Sequence, residues 1–421
     1  MDKESAIEAH RVNKGKLGMA GRVPVATTEE LSTYYTPGVA YPCLAIKDDL
    51  KKSFEYTLRG RTAAIITDGT RVLGLGKIGP EAGMPVMEGK ALLLKKFAGV
   101  DAMPICLAEH DEDRLVAIIK SLGPTFGAIN IEDIETPKCL NIVAKLRSGM
   151  SIPIFHDDSE GVATVALAGI INSMKIVGKK IGGAKIVING TGAAGMGIAR
   201  LLVHAGASNI VMVDTAGALY AGRRENMNPI KEDIALKTNK NMDKGSLEEV
   251  SRGADVLIGA SVKGAFTPEI IKSMSSKSVV FALANPFPEI DYADAKAAGA
   301  YIVATGRSDR PNQVNNLLAF PGIIRGLLES RPSRIDYTML VNAAKIIAKF
   351  AGRDISPERI VPNPIERKAA FGLAAKVAGE VVRTANELGI AGASKNHAEV
   401  EEATRKEVRA YARYEARIPA K

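Results

Sequence analysis

With 421 residues, 46% of them hydrophobic and 24% charged, the chain has the makeup of a folded protein of two or three domains, which excludes a disordered or low-complexity segment. Its formal charge of +9, from 56 basic and 47 acidic residues, is spread as single Lys and Arg among acids, which argues against a nucleic-acid surface and for attraction of small anions. Three cysteines without CxxC spacing, a start that lacks an apolar signal core, and no apolar run of roughly eighteen residues set the expectation of a reduced, cytoplasmic compartment without membrane contact.

Residues 1–160 mix short strands with helices. Ala63–Thr67 and Arg71–Leu75 read as two strands joined by an Asp68-Gly69 turn, a hairpin signal. A helix is expected from Glu88 to Phe97, with Ala91, Leu92, Leu94 and Phe97 apolar. Cys106, in Met-Pro-Ile-Cys-Leu, is expected as a small buried hydrophobe. Ala128–Ile131 and Ile152–Phe155 are short apolar strands, and each delivers acids at its C-terminal end, where ligands of α/β sheets gather.

Residues 161–310 alternate helix and strand: a long apolar helix over Val162–Val177, then strands at Ala184–Asn189, Asn209–Asp214, Ala254–Gly259, Ser278–Leu283 and Tyr301–Ala304. The pattern predicts an α/β chain with a doubly wound parallel sheet of the Rossmann type. Residues 311–421 read as mainly helical, with apolar faces near Leu340–Phe350 and Phe371–Val382, and a charged solvated helix from His397.

Between the first of these strands and a helix expected over Ala194–Ala205 lies Gly190-Thr191-Gly192-Ala193-Ala194-Gly195, and Asp214 ends the next strand. A lone GxGxxG is weak evidence, but strand, loop, helix and acid in this order form a dinucleotide site. The glycines allow the turn and the approach of a pyrophosphate, and the helix N-terminus attracts it. Asp214 suits a ribose hydroxyl and repels a 2′-phosphate, which favours NAD over NADP, while Arg223 and Arg224 downstream favour the phosphate.

Glu132, Asp133 and Asp158 are hard oxygen donors that suit Mg²⁺ or Mn²⁺. The alternative is structural: Glu132-Asp133 caps a helix beginning near Thr136-Pro137, and Asp157 or Asp158 caps the helix from Val162. His156 reads as a core residue. Tyr35, just before a Pro-Gly turn, and Lys90, at the start of an apolar helix, are either a proton-transfer pair or a core aromatic and a surface charge.

Taken in order, Tyr35-Thr-Pro-Gly-Val-Ala40, Thr67–Gly76, Gly83–Lys90, Ile131–Ile134, Phe155–Asp158, Gly190–Gly195, Ala282–Pro286 and Gly306–Asn316 resemble the malic enzymes, in particular the short prokaryotic form, over nearly the whole chain. The resemblance implies oxidative decarboxylation of malate to pyruvate with NAD or NADP and a divalent metal, in a dimer or larger oligomer. It implies Tyr35 as general acid, Lys90 as general base, and Asp157 in the catalytic set. Glu132, Asp133 and Asp158 become metal ligands, and Asn285 and Asn316, with Asn315 adjacent, hold a malate carboxylate. Arg71 pairs with carboxylate or cofactor, and Asn285 also lies at the cofactor. One departure stands out. After Asp158 the short forms continue Gln-His-Gly-Thr, whereas this chain has Ser159-Glu160-Gly161-Val162, so Glu160 is expected to add a negative charge near the ligands. The rival readings are a malolactic enzyme that retains its cofactor, a two-domain amino-acid dehydrogenase, and a non-catalytic nucleotide sensor.

Overall fold

Thr62–Thr67 has no exposed face, and in the computed structural model, which describes residues 3–418, it is a strand buried throughout (β1). The first two and last three residues of the expected 1–160 and 311–421 segments lie outside that description. β1 pairs in parallel with β2 (Asp101–Cys106) on one edge and β3 (Ala128–Ile131) on the other, and β4 (Ile154–His156) completes the order β2-β1-β3-β4. The expected hairpin therefore does not form. Both edges of β1 are already taken, and Arg71–Gly76 folds instead into a tight turn closed by the Val72 amide on the Gly76 carbonyl at 3.0 Å. The turn at Asp68-Gly69 is real: Gly69 has φ 68°, and a Cβ there would meet the Gly79 carbonyl carbon at 2.2 Å.

The helix expected from Glu88 begins at Pro80 and runs to Ala98, burying Met87, Ala91, Leu94 and Phe97. Pro80, at the first helical positions, loses no hydrogen bond there, and this signal marks the true start. Cys106 ends the outer strand β2 and is only half-buried, because an edge strand has one unpacked side.

The second sheet holds β5 (Lys185–Asn189), β6 (Asn209–Asp214), β7 (Gly217–Ala218), β8 (Val256–Gly259), β9 (Val279–Ala282) and β10 (Ile302–Thr305) in the order β10-β9-β8-β5-β6-β7. All pairs are parallel except the two-residue β7 against β6. Strand order reverses between β5 and β8, and the crevice at their C-terminal ends is the switch point where such sheets bind ligands. The Val162–Val177 helix forms as expected. With the turn before it, it is long and apolar enough to cross a membrane, yet 72% of that stretch is buried inside the protein, which makes it a core helix.

Helices Phe320–Ser330, Tyr337–Phe350, Arg367–Glu387 and His397–Glu415 pack on one another and on Pro80–Ala98. One continuous core joins Ile65 and Leu94 of the first sheet's layers to Ile188, Leu327 and Val377. The last helix is less solvated than its charge suggests, since Val400, Thr404 and Val408 are buried. At the other end, helices Lys3–Asn13, Thr28–Tyr34 and Ala40–Asp48 bury no residue, and Tyr34, Tyr35, Tyr41 and Leu44 stand exposed.

Candidate active site

Side chains alternate along a strand, so Asn130 and Glu132 leave the end of β3 on one face. Asn130 Nδ2 donates to Glu132 Oε2 at 2.8 Å. Asp133 follows with φ 52°, a turn that aims its amide at Asp158 Oδ2, 2.8 Å away beyond the end of β4. One carboxylate oxygen each from Glu132, Asp133 and Asp158 lies within 4.8 Å of the others. Neither pair caps a helix: the Lys138–Gly149 and Val162–Val177 helices have no side-chain cap, and Asp157–Gly161 forms a π turn. Glu132 and Asp133 are buried, and Asp133 Oδ2 has no hydrogen-bond partner among the described residues. Burial pushes the Asp133 carboxyl up to about 7 and holds Glu132 and Asp158 above the ordinary carboxylate range. Crowded, desolvated oxygens with an orphan among them fit a hard divalent cation, Mg²⁺ or Mn²⁺.

Lys90 reaches this cluster from the Pro80–Ala98 helix. Its Nζ pairs with Glu132 and, at 2.5 Å, with Asp157 Oδ2, and it sits 5.0 Å from the Phe320 ring centroid. Burial works to lower its pKa, but Asp157, Glu132 and Asp158 together outweigh that and hold the ammonium above its usual value. Asp157, fully buried, also accepts from Asn316 Nδ2 at 3.0 Å. One ammonium cannot balance Glu132, Asp133, Asp157 and Asp158, so room for positive charge remains.

The other expected site residues divide. Arg71 donates its backbone amide to the Asp133 carbonyl at 3.0 Å, and its positive charge works to lower the Asp158 pKa. Asn285, exposed after β9, faces Gly306, where a Cβ would meet its Nδ2 at 2.6 Å. A Cβ at Gly74 would meet the Asn285 carbonyl oxygen at 2.2 Å, so the two halves of the cleft touch there. Asn315 turns away and accepts from the Leu317 amide at 2.9 Å. Tyr35 does not join the cluster: it is 65% exposed at the end of the Thr28–Tyr34 helix. Glu160 does not add a free charge to the ligands. It binds Arg147 at 2.6 Å and the His156 amide at 3.1 Å, and so spends its charge on structure. Burial lowers the His156 pKa to about 4, so this core imidazole is neutral.

Sequence reasoning missed Asn130, Phe320 and Thr136. Asn130 had a signal, the two-residue step to Glu132; Phe320 and Thr136 had none, being brought in by the fold. Thr136 Oγ1 accepts from the Ala193 amide at 3.2 Å, which ties the loop of Glu132 and Asp133 to the glycine loop.

In that loop Gly190 has φ 119°, and a Cβ there would meet the Ala260 carbonyl oxygen at 2.3 Å; at Gly195 a Cβ would meet the Gly190 carbonyl oxygen at 2.0 Å. A Cβ at Gly192 would meet only Thr136 Oγ1, at 4.0 Å, which leaves an open cradle at the N-terminus of the Ala193–His204 helix. Thr191, Ala193 and Ala194 line the same turn, half-buried. These features suit a dinucleotide pyrophosphate. Asp214 is not the bare carboxylate expected. Arg223 grips it at 2.5 and 2.9 Å and Lys231 at 2.6 Å, so despite burial its pKa is lowered. Arg224 is exposed beside it.

Residues 15–147 match the family model described as malic enzyme, N-terminal domain, and residues 159–386 match malic enzyme, NAD binding domain. The chain is 48% identical to a bifunctional malic/malolactic enzyme of Bacillus subtilis, over 96% of this chain and 98% of that protein. It is 45% identical to an NAD-dependent malic enzyme of Geobacillus stearothermophilus, over 90% and 78%. Its fold matches the crystal structure of malic enzyme from Pyrococcus horikoshii with a TM-score of 0.93 at 43% identity, covering 98% of this chain and 97% of that one.

Proposed function

Because this chain belongs to the malic enzyme family, we propose that it oxidatively decarboxylates (S)-malate to pyruvate and CO₂ while reducing a nicotinamide cofactor, with decarboxylation of added oxaloacetate as a side activity. The observation that carries this reading is Lys90 held between Asp157 and Glu132, beside the Glu132–Asp133–Asp158 oxygens. Residues 1–160 would supply the substrate side, 161–310 the cofactor side, and 311–421 the part of the cleft that includes Asn316 and Phe320.

Bound at those oxygens and at the glycine loop, a divalent cation and a nicotinamide supply positive charge for the developing oxyanions and an acceptor for hydride. The chain's own residues manage the protons. Lys90 Nζ takes the C2 hydroxyl proton as hydride leaves C2. For that it must be neutral: burial favours the amine, Asp157, Glu132 and Asp158 favour the ammonium, and a cation held by Glu132 and Asp158 would weaken only their share of that attraction. Asp157, itself anchored by Asn316, fixes where Nζ points. The C3–C4 bond of the resulting keto acid then breaks, CO₂ leaves, and the Tyr35 hydroxyl returns a proton to C3. Arg71 and Asn285 border the space for the malate carboxylates.

Tyr35, exposed on helices with no buried residue, reaches a cleft once a second copy covers that face. We therefore read the working form as a homodimer or larger oligomer with Tyr35 acting across the interface. Asp214 favours NAD, while Arg223 and Lys231, ion-paired with it, weaken the repulsion of a 2′-phosphate, so we read the site as open to both NAD and NADP. Free thiols and such substrates suit the cytoplasm.

The test is malate turnover with Mn²⁺ and each cofactor in turn. Free reduced cofactor and pyruvate, abolished by a chelator, are expected. Lactate without net cofactor reduction would instead select the malolactic reading, which the Bacillus subtilis relative keeps in view.

A further inference from the structure

Glu289, in the loop after β9, is fully buried, takes no part in the proton transfers at Lys90, and forms no salt bridge with a Lys or Arg among the described residues. A carboxylate so placed is costly unless donors surround it. Oε2 accepts from the Ala284 amide at 3.0 Å, and Oε1 from the Ser261 amide at 2.8 Å and the Ser261 hydroxyl at 3.3 Å. Burial raises the carboxyl pKa, and these bonds work against the rise. The acid lies against the end of β8, where a Cβ at Gly259 would meet its Cδ at 2.3 Å, and the Phe266 amide pins its carbonyl at 3.1 Å.

These donors stand at the strand ends that flank the crevice. Ser261 follows β8, and its hydroxyl accepts at 2.9 Å from the side chain of Asn189, the last residue of β5. Ala260, between β8 and Ser261, meets Gly190 of the glycine loop at backbone distance. Ala284 follows β9 and directly precedes Asn285. One side chain therefore ties together the C-terminal ends of β5, β8 and β9, the first carrying the glycine loop and the last Asn285. We propose that Glu289 is a positioning residue that sets Asn285 for the malate carboxylate and the end of β8 for the dinucleotide. This rests on the malate and cofactor sites proposed above. The charge is essential to the role, because a Gln of the same shape offers one acceptor and one donor. Its NH₂ group must face the amide of either Ala284 or Ser261, and one strand end is released.

The experiment compares the full-length wild type with Glu289→Gln. It measures malate KM and kcat, binding of NADH and NADPH by nicotinamide fluorescence, and Mn²⁺ binding by electron paramagnetic resonance. In the variant the malate KM should rise by about tenfold and the reduced cofactors should bind several-fold more weakly, with a smaller change in kcat. Mn²⁺ affinity, set on the other sheet, should stay unchanged. A folded variant with wild-type malate KM and cofactor affinity, its only change a lower melting temperature, would overturn the assignment. Equal loss of Mn²⁺ binding, the mark of general disruption, would do the same. If Glu289→Gln does not fold, Glu289→Asp is read in the same way, since it keeps the charge but is one methylene short of holding both amides. A wild type that binds neither reduced cofactor would remove the dinucleotide site and this inference with it, whereas intact binding in both proteins removes only the role of Glu289.

Discussion

Lys90 stands between two opposed forces, burial that favours the neutral amine and carboxylates that favour the ammonium, and a base works only where these nearly balance. Lys90→Ala removes the acceptor but none of the three clustered oxygens. Turnover should drop about 10²–10⁴-fold, while Mn²⁺ binding, followed by electron paramagnetic resonance, persists; near-normal turnover would remove Lys90 from proton transfer. Asp214 presents a similar balance. Arg223→Ala leaves the carboxylate less compensated, so the KM for NADP should rise more than that for NAD, and an equal change in both would show that the pair is only structural. His156 gives a pH signature. Its folded pKa, about 4, lies below its unfolded value near 6.5, so the unfolded chain binds the proton first on acidification. The contribution is fully present above that value and is lost as pH falls toward 4, on the order of 3 kcal/mol in all. Thermal melts of wild type and His156→Gln between these limits check it: the variant should lose less stability on acidification.

Among the elements, the closest approach to the site is made by helices that sequence patterns describe only as apolar. Gly322 and Gly326 let the Phe320–Ser330 helix meet Arg367–Glu387 so closely that a Cβ at Gly326 would lie 2.5 Å from Val381 Cβ. Gly326→Ala should therefore destabilise the fold by about 1–3 kcal/mol through overpacking, read as a lower urea midpoint, despite alanine's better helix propensity. A midpoint unchanged or raised would mean that the helices part freely. The hairpin expected around Asp68-Gly69 fails for a related reason. Ala63–Thr67 and Arg71–Leu75 carry good strand residues around a true turn, but β2 and β3 had already filled both edges of β1, a competition that no local pattern records.

For the whole molecule, the exposed aromatic face around Tyr34, Tyr35 and Tyr41 argues for assembly. If Tyr35 serves the partner's cleft, mixing inactive Tyr35→Phe and Lys90→Ala proteins should restore roughly a quarter of wild-type activity, because half the dimers are mixed and each has one intact site. No recovery would place both residues in the same chain's cleft.

Local pattern along the chain was enough to reveal which strands end in acids, where the glycine loop sits, and the parallel sheet over 185–305, because these depend on short-range periodicity and on residues whose chemistry has few other uses. Asn130, one step from Glu132 on β3, was within reach of the same logic. Tertiary structure alone decided that Glu160 serves Arg147, that Asp214 is already neutralised, that Phe320 covers Lys90, and that Tyr35 lies outside its own chain's cluster. Each of these is a contact between segments distant along the chain or between groups of unpredictable orientation, and charge compensation depends on distance in space, not on position in sequence.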